Sequence, residues 1–375
     1  MRIGLITTLN TNIGDDFVRK GLCLVLQEVF KEQKIQFLPV NKHLPLTVYP
    51  AWHPIHLSGL TRYFPRGRSR ARSLIERWAS KLRLSRFDSC NLIVQCGAPI
   101  VWYGCGRCEW AEPLWHRVVG RLSKRIPVLN LAAGSCFPWE KQPAHITDPE
   151  DAEYLRSILG YCSLTTVRDT LARHLCISLG EETPLIPCSA LLTSRNREAN
   201  LRDNGFILIN YMFRGGHYDY KQGIDPSVWR ETVELLISRL RKRHRLAFLC
   251  HNEEEYRLAS HLDSSLPRIW PQKEQEYFDL VMEAKGALCN RLHASIALAG
   301  LGIPSVAVGT DTRLLMVDAI GLPFLYVKMA TADLLEEKIE NLLIHRRQEQ
   351  ERLLALKSAT FNQYITAVTE TLESG

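Results

Sequence analysis

Short apolar runs alternate with longer amphipathic segments along almost the whole chain. Runs rich in β-branched residues, separated by stretches with helical spacing, predict βα units and parallel sheets. The predicted strands, in chain order, are RIGLITTL, NLIVQCGA, IPVLNLAAG, SLTTVRD, FILINYMF, RLAFLCHN, GALCN and PSVAVG. This order predicts an α/β protein with two doubly wound, Rossmann-type domains that face each other across a cleft.

Helical patterns separate the strands, most clearly over residues 226–242 and 253–262, and residues 331–372 predict helix in more than one piece. The polar segment TSRNREANLRDN, residues 193–204, has no apolar periodicity and is interpreted as the interdomain linker. We therefore predict an N-terminal domain over residues 1–195 and a C-terminal domain over residues 196–375. Two domains also suit a chain of 375 residues.

Composition is that of a globular protein, with 46% apolar and 23% charged residues. The N-terminal segment lacks the apolar core of a secretory signal, and no run reaches the roughly 18 apolar residues of a membrane span. Eleven cysteines, an odd number, are typical of free thiols in a reducing compartment. These features predict a cytoplasmic protein, and they leave its oligomeric state open.

The net charge of +7 comes mostly from residues 62–86, where nine Arg or Lys accompany one acid, Glu76. Apolar residues recur there at helical spacing: Leu74, Ile75, Trp78 and Leu82. One interpretation is a basic amphipathic helix at the inner membrane face, and the other is a solvated surface helix beside a loop. No nucleic-acid-binding module accompanies the charge, so nucleic acid is not an expected partner.

The first predicted strand ends in a turn that carries two candidate ligand-binding residues, Asn12 and Gly14. Asn, Gly and Asp suit a strand-to-helix turn and its N-cap, which explains the pattern structurally. The functional alternative is that Asn12 and Gly14 offer donors to a ligand at the helix N-terminus. No GxxxxGK[ST] motif occurs, and no GxGxxG follows this strand.

Two further strand ends carry basic residues. In TTVRD, Asp169 suits a helix cap, while Arg168 either reaches a carboxylate or backbone carbonyl or binds a ligand. In INYMFRGGHYDY, Arg214 and His217 either face the cleft or belong to an exposed turn. The spacing of Cys105 and Cys108 resembles half a zinc site, but no second pair completes it, so no metal is expected.

The segment CNRLHASIALAGLGIPSVAVG, residues 289–309, places Arg291 and His293 between a buried strand and a helix of small residues. If residues 290–293 are extended, the two side chains point together into the cleft, at the positive end of the helix. There an Arg holds an anion and a His exchanges a proton near neutral pH. Alternatively, Arg291 pairs with an acid and His293 is a buried, satisfied polar residue.

NRLHASIALAGLGIPSVAV resembles the Arg-Leu-His signature of polysaccharide pyruvyl transferases, and NIGDD and TTVRD resemble two further motifs of that family in the same order. The resemblance implies a GT-B-like fold without a metal or organic cofactor. It also implies transfer of a pyruvyl group from phosphoenolpyruvate to two hydroxyls of a sugar, with formation of a cyclic ketal and release of phosphate. The acceptor implied is a cell-surface polysaccharide or its precursor, and a lipid-linked precursor is one form of it.

The resemblance also implies roles for individual residues. His293 would be the general acid or base, Arg291 an anion clamp, Arg214 a second clamp and Arg313, in GTDTRLL, a phosphate contact. The C-terminal domain would bind phosphoenolpyruvate and the N-terminal domain the acceptor. The run WYGCGRCEWAEPLWHR, in that first domain, departs from the family pattern.

Two other functions stay open at this stage. One is a GT-B glycosyltransferase that uses a nucleotide sugar, and the other is a non-catalytic descendant that binds a glycan or a partner protein. Stabilisation by a nucleoside diphosphate would favour the first. Glycan binding without turnover would favour the second.

Overall fold

The computed structural model describes residues 1–9, 13–63, 74, 75, 78, 79, 82, 84–200 and 202–374. Its first sheet is parallel, in the order β2-β1-β3-β5-β4 with β6 also paired to β5. The strands are β1 (Arg2–Thr7), β2 (Gln36–Asn41), β3 (Leu92–Cys96), β4 (Pro99–Val101), β5 (Val128–Ser135) and β6 (Leu164–Val167).

The second sheet is also parallel, in the order β12-β11-β10-β7-β8-β9. Its strands are β7 (Phe206–Asn210), β8 (Arg245–Leu249), β9 (Arg268–Ile269), β10 (Ala284–Cys289), β11 (Ser305–Gly309) and β12 (Phe324–Tyr326). All eight predicted strands are confirmed. The strands β2, β4, β9 and β12 were not predicted, because they are short or only partly buried and lack a continuous apolar run.

Helices of eight or more residues flank both sheets, and their side-chain caps follow the sequence signals. Asp169 accepts a hydrogen bond from the first turn of the helix Thr170–Ser178, as predicted, and Asn252 caps the helix Glu253–Leu262 in the same way. The helices are α1 (Ile13–Val29), α2 (Pro149–Tyr161), α3 (Thr170–Ser178), α4 (Pro226–Leu240), α5 (Glu253–Leu262), α6 (Glu274–Val281), α7 (Leu292–Gly300), α8 (Ala332–Ile344) and α9 (Arg346–Glu373). A π-helix covers Ala111–Val119.

The last helix, α9, packs against both halves of the molecule. Its Leu353 belongs to the core beside the second sheet, whereas Phe361, Tyr364 and Val368 pack with the strands of the first. The predicted boundary between residues 195 and 196 falls between the two sheets in sequence, and it stays a prediction.

No helix in the described ranges is both long and apolar enough to cross a membrane. The basic segment over residues 62–86 lies largely outside the described residues, so its contact with a membrane stays a prediction. Within it, the described side chains of Leu74, Trp78 and Leu82 are exposed.

A short 3-10 turn, Ser189–Leu192, is wedged between α1 and α7. A Cβ on Gly21 of α1 would lie 1.9 Å from the carbonyl oxygen of Ser189, and one on Gly300 of α7 would lie 2.3 Å from that of Leu191. The Ser189 hydroxyl also donates to the carbonyl of Val18 over 3.0 Å. The middle of α1 and the C-terminal end of α7 therefore touch the backbone of one turn, which restricts the position of one helix relative to the other.

We expect Gly21→Ala to destabilise the protein by about 2 kcal/mol, because the added methyl group overlaps the Ser189 carbonyl in a packed interface. The matched control is Gly160→Ala in α2, where the added methyl meets no atom within 4 Å. That control is expected to be neutral or stabilising by up to about 1 kcal/mol. Urea unfolding followed by circular dichroism measures the stability of both variants. Equal stability would contradict the close packing of Gly21 against the turn Ser189–Leu192.

Candidate functional site

A cavity of about 780 Å³ lies between the two sheets and is lined by residues from both. Its lining follows the carboxyl ends of the strands, where parallel sheets bind ligands. From the first half it includes Thr8, Gly14, Asp15, Lys42, Gly97, Trp102 and Arg168. From the second half it includes His217, His251, Asn290, Arg291, His293, Asp311 and Arg313. The size suits a small ligand or one sugar with its donor.

Arg291 lies at the N-cap of α7 and is held by an acid. Its Nε donates to Glu255 Oε1 over 2.7 Å, and its backbone N–H donates to Asn210 Oδ1 over 2.6 Å. The other oxygen of Glu255 accepts from Asn210 Nδ2 and from the backbone N–H of His251, each over 2.9 Å. Glu255 is only 3% exposed, so this ion pair is shielded from solvent. The pairing was one of the two alternatives left open by the sequence.

His293 lies in the first turn of α7 and not in an extended segment, so the conditional argument from extended residues 290–293 is wrong. Arg291 is the extended residue before the helix, and this break in geometry lets both side chains line the cavity. His293 Nε2 lies 3.3 Å from Arg168 Nη1. The Arg-Leu-His segment of the second half thus meets the strand end of the first half directly.

Arg168 is 1% exposed, and its guanidinium spans the interface. Nη1 is 3.4 Å from the carbonyl of Gly97, whereas Nη2 is buried and has no hydrogen-bond partner among the described residues. A Cβ on Gly134 would lie 2.7 Å from Arg168 Nε, so glycine leaves the space through which this side chain passes. An unpartnered buried guanidinium N–H is costly, and an anionic ligand in the cavity would satisfy it.

Arg313 is also bound to a buried acid. Its Nε and Nη2 donate to the two carboxylate oxygens of Asp311 over 2.8 and 2.6 Å. The intervening Thr312 accepts at Oγ1 from the backbone N–H of Phe137 over 2.9 Å, and its hydroxyl is 2.9 Å from that of Ser135. These bonds connect the loop of Arg313 to the first half of the molecule.

The positive charges around His293 determine its protonation. Burial lowers the pKa of His293 well below its ordinary value of 6.5, and the guanidiniums of Arg168, Arg313 and Arg291 lower it further. The imidazole is therefore neutral at pH 7 in the protein without ligand. The expectation that His293 exchanges a proton near neutral pH is wrong for this state, because the sequence did not reveal three cations around one ring.

The remaining predicted residues are not all brought together. Gly14 lines the cavity, and His217 lies at its exposed rim. Arg214 does not line this cavity; it is half exposed and pairs with Asp219 beside a separate surface pocket. Asn12 lies outside the described residues. The geometry thus does not support Arg214 as a second clamp, because its loop turns the side chain away.

Two lining residues, Lys42 and His251, were not among the predicted site residues. Lys42 follows β2, a strand that the apolar pattern did not predict. His251 is 7% exposed, neither of its ring nitrogens has a partner among the described residues, and burial lowers its pKa to about 3. Its place after β8 was the available signal, because polar residues at the carboxyl ends of parallel strands meet in one cleft.

The two facing Rossmann-type domains are shared with solved structures of low sequence identity. A candidate UDP-N-acetylglucosamine 2-epimerase of Listeria monocytogenes is 9% identical, with a TM-score of 0.57 over 100% of this chain and 97% of that one. The UDP-GlcNAc 2-epimerase of Neisseria meningitidis, solved with UDP-GlcNAc, is 13% identical, with a TM-score of 0.55 over 100% of both chains. These likenesses define the fold class as GT-B-like, as predicted.

The family model described as polysaccharide pyruvyl transferase matches residues 12–312, a range that contains Arg168, Arg291 and His293 and ends one residue before Arg313. The chain therefore belongs to the polysaccharide pyruvyl transferase family, as the Arg-Leu-His segment predicted. No curated protein sequence matches the chain.

We expect Glu255→Gln to destabilise the protein by about 3 kcal/mol, because it leaves the guanidinium of Arg291 without its buried counter-charge. The control is Glu254→Gln, an exposed neighbour on the same helix, with an expected change within about 0.5 kcal/mol. Chemical unfolding measures both variants. A Glu255 variant as stable as the control would show that the ion pair contributes no stability.

Proposed function

We propose that the protein transfers the pyruvyl group of phosphoenolpyruvate to two hydroxyls of a sugar, and that the reaction takes place in the cavity between the sheets. The observation that carries this proposal is the convergence of Arg168, Arg291 and Arg313 around the neutral imidazole of His293. Membership of the polysaccharide pyruvyl transferase family supports the same reaction. The sugar belongs to a cell-surface polysaccharide or its precursor.

The donor suits these residues because it carries a carboxylate and a phosphate close together. Arginine binds both groups with paired N–H donors, and the N-terminus of α7 adds its own positive end. The unpartnered Nη2 of Arg168 supplies a buried donor for one anionic oxygen. Glu255 and Asp311 hold the other two guanidiniums in place, so they need no reorganisation when the donor binds.

The chemistry follows from the structure of the donor. Protonation of its methylene carbon gives a methyl group and an electron-poor central carbon, which a sugar hydroxyl attacks. The C–O bond to phosphate then breaks, and a second hydroxyl closes the ketal ring. Of the two hydroxyl protons, one is accounted for by the new methyl group and the other leaves with phosphate. The guanidiniums stabilise the departing phosphate.

In this proposal, His293 transfers the proton between sugar hydroxyl and methylene carbon. The free protein keeps it neutral, whereas a bound anion cancels part of the field of the three guanidiniums and raises its pKa toward the ordinary value. His293 protonated on donor binding gives its proton to the methylene carbon, and the neutral imidazole then accepts the proton of the attacking hydroxyl, as proton shuttles require. Binding of the donor thus raises the pKa of His293 into the range in which it can transfer a proton.

We expect phosphoenolpyruvate to raise the melting temperature of the protein, since a ligand at about 100 times its Kd adds about 2.7 kcal/mol of stability. Arg168→Gln should abolish the shift, and Arg173→Gln, an exposed arginine on α3, should preserve it. With a sugar diol present, phosphate release and a product heavier by one pyruvyl ketal would establish transfer. Stabilisation by uridine diphosphate alone would favour a nucleotide-sugar enzyme, and glycan binding without turnover a non-catalytic protein.

We also expect phosphoenolpyruvate binding to be accompanied by proton uptake at His293, because the bound anion raises a pKa that is depressed in the free protein. Calorimetric titration near pH 6.5 in two buffers of different ionisation enthalpy measures the uptake. The comparison is with His293→Gln, which keeps a polar side chain without a titratable group. Equal proton exchange in both proteins would rule out His293 as the group that titrates.

A further inference from the structure

The run WYGCGRCEW, which departs from the family pattern, forms one wall of the cavity. Trp102, Gly104, Cys108, Glu109 and Trp110 all line it, and the ring centroids of the two tryptophans are 5.6 Å apart. Two neighbouring indoles give an apolar surface at the end of the cavity formed by the first half of the molecule. Such surfaces bind flat, partly apolar ligands.

This wall is rigidly held by α2. The buried carboxylate of Asp151 accepts from the backbone N–H groups of Gly104 and Gly106 over 2.8 and 2.9 Å. The hydroxyl of Tyr154 accepts from Trp110 Nε1 over 3.1 Å. A Cβ on Gly106 would lie 2.6 Å from a backbone carbonyl, which explains the second glycine of the run. The surface is thus formed before any ligand arrives.

Lys42 contributes a polar atom to the same wall. Lys42 is 7% exposed, and its Nζ lies 4.6 Å from the ring centroid of Trp110. Among the described residues Nζ forms no hydrogen bond or ion pair, although the side chain lines the cavity. An ammonium group that lines the cavity and has no acceptor within the described ranges can donate to an acceptor on a ligand. Burial accordingly lowers the pKa of Lys42 from its ordinary value of 10.5.

Acidic side chains distinguish this wall of the cavity from the arginine cluster. Glu109 is 55% exposed, and one of its oxygens is 2.8 Å from Nδ1 of His43. Asp15 also lines the cavity near Lys42. Carboxylates repel a phosphate or carboxylate ligand but accept hydrogen bonds from hydroxyl groups. The cavity therefore offers arginines to an anion, and an aromatic wall with a carboxylate to a neutral polyhydroxy compound.

We propose that Trp102, Trp110, Lys42 and Glu109 form the acceptor subsite, and that it binds a neutral sugar ring. The apolar face of the ring packs on the indole of Trp102, a hydroxyl donates to Glu109, and a ring or hydroxyl oxygen accepts from Lys42. The inference rests on the proposed function and deepens it, because it assigns the hydroxyl-bearing substrate to a surface formed by a distinctive segment of this chain.

The test is binding of simple sugars in the presence of phosphoenolpyruvate. The probes are the methyl glycosides of glucose, galactose, mannose and N-acetylglucosamine, observed by saturation-transfer difference NMR. At least one should bind the wild-type protein, and Trp102→Ala and Glu109→Gln should each weaken it by about ten-fold, the effect expected for losing one good contact. The matched control, Glu112→Gln, removes an exposed acid that pairs with Arg117 outside the cavity and should leave binding unchanged.

Three results would overturn the subsite: no binding by any of the four glycosides, binding within two-fold of wild type in both variants, or a Trp102-dependent affinity for uridine monophosphate in place of a sugar. Lys42→Met, which keeps the length of the side chain, should weaken the same glycoside. Thermal stabilisation by phosphoenolpyruvate is measured in parallel. Its absence in the wild type would contradict the proposed function, whereas loss of sugar binding alone contradicts only the subsite.

Discussion

The structure depends on one close contact, in which the turn Ser189–Leu192 lies between α1 of the first half and α7 of the second. Gly21 and Gly300 allow both helices to touch the backbone of that turn, so little freedom remains in their relative position. Because the cavity is bounded by the first turns of these two helices, the same contact sets the distance across it. The width of the cavity thus depends on the small size of Gly21 and Gly300.

The three arginines of the cavity differ in their ion pairs. Arg291 and Arg313 each have a buried carboxylate partner, whereas Arg168 has no ion pair among the described residues and retains one unpartnered nitrogen. An anionic ligand would therefore make its largest gain at Arg168, which comes from the first half, while lying against the other two from the second. Such a ligand would bind the halves together.

Much of the fold was predictable, because buried parallel strands produce apolar runs that are visible in one sequence. The polar residues at their ends were predictable for the same reason, and this identified Arg168, Arg291 and His293, whereas Arg313 followed only from the resemblance to the family. Their partners were not, since Glu255 and Asp311 meet the arginines only through the fold. Lys42 was missed because β2 is too exposed to have a strand-like apolar pattern, and Arg214 was misplaced because the direction of a loop side chain is not encoded in spacing.

The helix α9 has a consequence for motion. The chain crosses between the halves twice, once near residues 193–204 and once within this continuous helix of 28 residues, roughly 42 Å long by its rise per residue. Lys357 Nζ donates to the carbonyl of Arg197 over 3.1 Å, so the two crossings lie side by side. A rotation of one half against the other must leave both in place, and its axis therefore passes close to this pair. Any opening of the cavity would therefore be a hinge movement about these two crossings, limited by the packing of α1 and α7 on the turn Ser189–Leu192.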